Sequence, residues 1–253
     1  MKLTHLILVL VLFTIAGCKK SETITDDSSS RGGNSTLGLT RGLVAYYPFS
    51  GNANDASGNG YNGIVSGATL TSDRFNKSGK AYYFNGESTT KIQTTFPGIL
   101  GDNSRSISVW VKRSANLYNH TSILTWGTYA GGQLNDLLMS GIGGHYFAFD
   151  NGGSYVGNNY PSIIDNNWHH YLVVFDRNLG QSVLVSKIYI DGLPVANDVS
   201  YNPQFVNTIE GQKMIIGQYD PVNDPRTFLG SLDDIRVYNR VLNQQEITYL
   251  ATH

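Results

Sequence analysis

Ser106-Ile107-Ser108-Val109-Trp110-Val111-Lys112 alternates aliphatic residues with polar or aromatic ones, which puts Ile107, Val109 and Val111 on one face of a pleated strand and Trp110 on the other. Similar patterns recur on either side of it. His170-Tyr171-Leu172-Val173-Val174-Phe175 is apolar on both faces, as expected of a central strand covered on each side. Lys187-Ile188-Tyr189-Ile190 alternates again and runs into Asp191-Gly192, a dipeptide suited to the positive φ angles of a hairpin turn. Further strand candidates are Leu43 to Phe49, Ala81 to Phe84, Ser122 to Trp126, His145 to Phe149, Met214 to Gly217 and Ser231 to Tyr238, giving about a dozen in all. The 28 glycines, 16 tyrosines and scarce glutamates fit many strands joined by tight turns. Only near the end does a helix signal appear: Asn243 with Glu246 three positions later forms a capping box, and Ile247 and Leu250 give a short helix an apolar side for packing against a sheet edge. The predicted class is all-β.

The amino terminus is separate from this domain. Lys2 carries a charge, Leu6 to Ala16 is nearly unbroken apolar sequence, and Ile15-Ala16-Gly17-Cys18 ends it with a small residue before the single cysteine. An apolar run of about a dozen residues is too short to span a ~30 Å hydrocarbon core, so it reads as a secretory signal peptide over residues 1–17. The pattern resembles the bacterial lipobox, which implies cleavage before Cys18 and acylation with palmitate-type chains. The alternative is an ordinary secreted protein with a cysteine near its cleavage site. Several acyl chains at about 0.8 kcal/mol per buried CH₂ hold a protein durably on a bilayer. Residues 18–40 are rich in Ser, Thr, Gly, Asp and Asn without an aromatic, and read as a flexible tether. The expected location is a bacterial membrane, taken as the outer membrane, with the surface and periplasmic faces both open. Asp26-Asp27 follows Lys19-Lys20 and matches a surface-export signal poorly.

Residues 41–253 show no composition break and read as one domain. Lipidation of Cys18 leaves no thiol for a disulfide. With 18 basic against 19 acidic residues and no basic cluster, nucleic acid is not an expected partner. The membrane is reached through the lipid anchor alone.

Several segments share a family resemblance. Gly42-Leu43-Val44-Ala45-Tyr46-Tyr47-Pro48-Phe49, the loop Asn54-Asp55-Ala56-Ser57-Gly58-Asn59-Gly60, the strand from Ser106, Trp168-His169-His170, the hairpin at Asp191-Gly192, and Gly230-Ser231-Leu232-Asp233-Asp234-Ile235-Arg236-Val237-Tyr238-Asn239-Arg240 resemble, in order, the laminin-G-like jelly rolls of the concanavalin A-like lectin/glucanase superfamily. The resemblance implies two antiparallel sheets packed as a sandwich with the first and last strands paired. It spans lectins, carbohydrate-binding modules, adhesion domains and glycosidases, so function needs site chemistry.

Retaining glycoside hydrolysis needs two carboxyl groups about 5–5.5 Å apart. Glu22, Glu87, Glu210 and Glu246 are isolated from one another, and Asp233-Asp234, as neighbours on a strand, are expected to point to opposite faces. No catalytic set is predicted, an unrecognised aspartate pair aside. His169 and His170 read as packing residues. The loop holding Asn52, Asn54, Asp55, Ser57, Asn59 and Asn62 concentrates oxygens suited to calcium, with Asp55 and Asp233 as expected ligands joined by Asn52 and Asn62; the alternative is a loop held by Asx-turns. Sugar binding needs exposed rings beside hydrogen-bonding groups. Three loops offer both: Asn116 to Tyr129 with Tyr118, His120, Trp126 and Tyr129, Asp150 to Asn167 with Tyr155 and Tyr160, and Gly217 to Arg226 with Tyr219 and Asp220. The alternative for each ring is a cap on the core below. The expected function is a non-catalytic, glycan-binding lipoprotein at the cell surface, with a protein-binding adhesion module as rival and a glycoside hydrolase third.

Overall fold

The computed structural model describes residues 37–113, 120–140, 146–159, 165–197, 199–220, 224 and 226–253. Cys18, Tyr118 and Tyr160 lie outside the described residues. Two antiparallel sheets form the domain. The first contains β1 (Leu43–Tyr47), β3 (Thr69–Thr71), β4 (Ala81–Asn85), β6 (Arg105–Lys112), β11 (Trp168–Phe175), β12 (Lys187–Ile190), β13 (Leu193–Val195) and β16 (Leu229–Tyr238). The second contains β2 (Ile64–Ser66), β5 (Lys91–Gln93), β7 (Thr121–Gly127), β8 (Leu134–Ser140), β9 (Tyr146–Asp150), β10 (Tyr155–Asn159), β14 (Val199–Tyr201) and β15 (Gln212–Ile216).

The alternation in β6 works as expected. Ile107, Val109 and Val111 enter the core between the sheets, with Tyr171, Val173 and Phe175 of β11, Ile235 and Val237 of β16, and Trp126, Leu137, Met139, Phe147 and Phe149 of the second sheet. Trp110 points outward, where its indole N–H donates to the Leu250 carbonyl at 3.2 Å. The turn between β12 and β13 places Asp191 at φ 50° and Gly192 at φ 79°, the two positive angles that the hairpin demands.

The helix α1 (Gln244–Thr252) starts with the expected capping box: Asn243 Oδ1 accepts from the Glu246 N–H at 3.0 Å, and Glu246 Oε2 accepts from the Asn243 N–H at 2.9 Å. It covers the outer face of the first sheet rather than an edge, because Ile247 and Leu250 find apolar partners there in Leu172, Val174 and Tyr238. Leu39 joins the same cluster at 3% exposure, so packed chain begins before the boundary expected at residue 41.

The first and last strands pair, Leu43 facing Tyr238 and Tyr47 facing Ile235. One edge of β16 serves two partners in succession, β4 along Leu229 to Leu232 and β1 along Ile235 to Tyr238. On the other edge the register against β6 slips between Asp233 and Arg236, and Asp234 adopts φ 49°. This is a β-bulge, and it breaks the period-two rule at Asp233-Asp234.

Candidate functional site

The bulge brings together two side chains that a regular strand would separate. Arg74 Nη1 meets Asp233 Oδ2 at 2.9 Å while its Nη2 meets Asp234 Oδ2 at 2.7 Å. The expectation that the two carboxylates face opposite ways is therefore corrected. Asp234 Oδ1 also accepts from the Tyr46 hydroxyl at 2.8 Å and pairs with Arg236 at 3.3 Å. Burial, then the neighbouring Asp234, push the Asp233 carboxyl up to about 8, against the pull of Arg74.

The expected calcium ligands are not assembled. Asp55 Oδ1 accepts from the N–H groups of Tyr46 (3.0 Å) and Ser57 (2.8 Å), and its Oδ2 from the Tyr61 N–H (3.0 Å) and the Ser57 hydroxyl (2.8 Å). Asn52 Oδ1 accepts from the Asn54 N–H and Asn62 Oδ1 from the Asp55 N–H, each at 2.9 Å. These oxygens hold the loop as Asx-turns, and Asp233 is committed to Arg74. Among the described residues no three His, Cys, Asp or Glu side chains converge to hold a metal.

His170 is fully buried against Ser108 Oγ at 2.8 Å, and burial depresses its ring to about 3, consistent with packing. His169 sits between Asp191 Oδ2 at 2.8 Å and Asp165 at 3.2 Å, with its pKa raised chiefly by the bond to Asp191.

The sugar-site residues separate into two groups. Trp126 is corrected to a core residue: β7 is buried along its whole length, the indole is 0% exposed and packs edge-on against Phe96 at 5.7 Å, and a Cβ at Gly98 would overlap it. Tyr129, Tyr219 and Asp220 do gather over the outer face of the second sheet. The rings of Tyr129 and Tyr219 are 5.0 Å apart, and the Tyr129 hydroxyl donates to the Tyr219 carbonyl. Gln212 donates to that carbonyl at 3.1 Å. The Arg226 guanidinium lies 4.0 Å over the Tyr219 ring and is steered by Asp224, Nε to Oδ2 at 2.6 Å. Asp220 and Asp224 bridge through their backbones, and the Arg226 carbonyl accepts from the Ser122 N–H at 3.0 Å, docking this segment on β7.

Sequence reasoning missed what lies beneath. Because Leu137, Met139, Phe147 and Phe149 enter the core, their neighbours Asp136 and Asp150 take the outer face. One row of register partners then crosses five strands: Thr125, Asp136, Asp150, Tyr155 and Tyr201. Tyr155, expected in a loop, belongs to β10 and stacks on the 60% exposed Tyr201 at 6.0 Å. Asp136 is 0% exposed; its Oδ1 accepts from the Ser122 hydroxyl and its Oδ2 has no partner among the described residues. Burial pushes its carboxyl up to about 8. Asp150 Oδ1 accepts from the N–H groups of Gly152 (2.6 Å) and Gly153 (2.9 Å). The only signal for Asp136 was its place in Leu134-Asn135-Asp136-Leu137-Leu138-Met139, which has no β-branched residue to announce a strand.

Solved structures share this fold. Domain 4 of AbnA, a GH43 extracellular arabinanase from Geobacillus stearothermophilus, solved in complex with arabinotriose, is 20% identical over 83% of this chain and 98% of its own, with a TM-score of 0.60. The binding domain of Paraclostridial Mosquitocidal Protein 1 is 18% identical over 84% of this chain and 52% of its own, TM-score 0.61. The binding domain of Botulinum neurotoxin DC, in complex with rat synaptotagmin II, is 15% identical over 83% of this chain and 51% of its own, TM-score 0.56. The chain spans about half the length of these two toxin domains. At these identities the likeness is one of fold. No curated protein sequence matches the chain. The sheet order, the pairing of first and last strands and a match to Laminin_G_3 over residues 84–248 agree: this chain belongs to the concanavalin A-like lectin/glucanase superfamily.

Proposed function

We propose that this chain is a bacterial lipoprotein, anchored through Cys18, whose domain binds a glycan on the outer face of the second sheet without cleaving it. The observation that carries the reading is the Tyr129–Tyr219 ring pair with Arg226 over it, beside the Tyr155–Tyr201 stack on the same sheet. Rings present faces for sugar C–H groups, and the neighbouring carboxylates and Gln212 supply directional partners for hydroxyls. A module of this fold solved with arabinotriose supports an oligosaccharide as the ligand class. The neurotoxin domain solved with synaptotagmin II keeps a protein partner as the rival.

A glycan array probed with the chain, together with an assay for new reducing ends, tests the binding reading. Binding that Tyr219→Ala weakens, with no new reducing ends, is the expected result. Release of reducing ends that Asp136→Asn abolishes would instead make Asp136 and Asp150 a hydrolytic pair. Incorporation of labelled palmitate that Cys18→Ala eliminates is the expected result for the anchor.

A further inference from the structure

The outer face of the first sheet carries a different concavity. Beside α1, a depression of about 470 Å³ is lined by Arg74, Phe75, Trp110, Lys112 and Trp168, among others. A second, of about 270 Å³, adjoins it and is lined by Tyr46, Lys77, Lys80 and the same Arg74 and Phe75. The two share Arg74 and Phe75, so they flank the 53% exposed ring of Phe75 and are treated together as one trench.

We propose that this trench is a separate binding site for an acidic polysaccharide, a carboxylate-bearing sugar chain laid across Phe75 between the tryptophan end and the lysine end. Two kinds of group recognise such a chain, and both are present. Phe75 and the half-buried Trp168 offer ring surface along the trench, as pyranose C–H faces require, while Trp110 is buried beneath Arg74. Arg74 is 4.6 Å from the Phe75 centroid and 4.7 Å from that of Trp110, which fixes the floor between the rings.

The charges are sorted by depth. Asp73, Asp233 and Asp234 line the lower part at 8%, 2% and 9% exposure, and all three are engaged. Asp73 Oδ1 accepts from the N–H groups of Phe75 and Lys77, at 2.9 and 2.8 Å, and the other two hold Arg74. The ammonium groups of Lys77, Lys80 and Lys112 form no ion pair among the described residues. Lys77 is exposed and the other two are half-buried. A ligand lying in the trench therefore meets Lys77, Lys80 and Lys112, while the three carboxylates are held by Arg74 and by backbone amides, and Arg74 also donates to the His253 carbonyl. The Tyr219 face is charged the other way, with Asp150, Asp220 and Asp224 around a single guanidinium, Arg226. One domain would thus hold two sugar chemistries on opposite sheets. This inference does not rest on the Tyr219 site.

Calorimetric titration of the full chain with polygalacturonate, and with its methyl-esterified form as the uncharged control, tests it. The acidic polymer is expected to bind, to weaken with rising ionic strength, and to outbind the ester. Lys77→Gln/Lys80→Gln/Lys112→Gln is expected to weaken binding by about tenfold or more, and the matching Lys→Arg triple to restore it. Phe75→Ala should weaken both polymers. Absence of polygalacturonate binding, equal binding of the ester, or an unchanged glutamine triple would each overturn the proposal. Loss of binding through Tyr219→Ala instead would move the ligand to the other sheet. Capture by phosphatidylserine vesicles without polygalacturonate binding would assign the lysines to a lipid surface.

Discussion

Two pairs of aspartates occupy the outer faces of the two sheets, and each is accommodated by different means. Asp233 and Asp234 are consecutive, turned to the same side by a bulge, and share one guanidinium. Asp136 and Asp150 are 14 residues apart and meet only through the register of β8 and β9, with Asp136 fully buried near Tyr219 and Arg226. The first pair is held by a fixed partner, Arg74, whereas in the second pair burial pushes the Asp136 carboxyl up with no cation bonded to it among the described residues. A counter-ion makes a rigid structural joint, whereas a buried, unpartnered carboxyl oxygen under a ring pair belongs to a surface adapted for something else.

The comparison breaks most visibly at Arg74. Removing it leaves Asp233 and Asp234 facing each other with Arg236 and Tyr46 as their remaining partners, so Arg74→Ala is expected to cost about 3–5 kcal/mol in urea unfolding. A change below 1 kcal/mol would mean that the joint is ornamental.

The second pair is sharpened by pH. In the folded chain Asp136 keeps its proton up to about pH 8, against 3.8 for the ordinary carboxyl, so the folded state holds the extra proton between these values. Stability falls as pH rises through that window, by up to roughly 1.4 kcal/mol per pH unit from this group. Asp233 contributes with the same sign, so the decisive measurement is the difference between wild type and Asp136→Asn, whose thermal melts should decline less steeply with pH. Next in size is Tyr219→Ala, expected to lower glycan affinity by about tenfold while leaving polygalacturonate binding in the trench intact. The smallest is Asn243→Ala, which uncaps the helix over the first sheet and should cost about 1 kcal/mol without touching the Tyr219 face.

Legibility in the sequence followed the physics of each segment. β6, β11, the Asp191-Gly192 hairpin and the helix cap were readable because each signal is local: period two, a turn dipeptide, a capping pair. β8 and β10 were not, since Leu-Asn-Asp-Leu-Leu-Met-Ser lacks β-branched residues and Tyr-Val-Gly-Asn-Asn has one aliphatic. Missing these strands hid the Asp136–Asp150 row, which exists only through register. The bulge at Asp234 overturned a correct rule applied to a strand assumed regular. Trp126 looked like a loop aromatic because nothing local says that a strand will be covered on both sides. The oxygen-rich loop carried the chemistry of a calcium site, but the Asx-turn alternative claims the same atoms, and local sequence does not separate the two.

The place of β16 governs how the domain comes into being. A strand near the end of the chain sits between β6 on one side and β4 and β1 on the other, with Leu43 and Tyr238 brought together across almost the whole domain. The first sheet therefore has no continuous middle until the ribosome has released Leu229 to Tyr238, and three earlier strands wait with open edges. Completion is slow by topology, and a chain cut short at its carboxyl end loses the sheet rather than a tail.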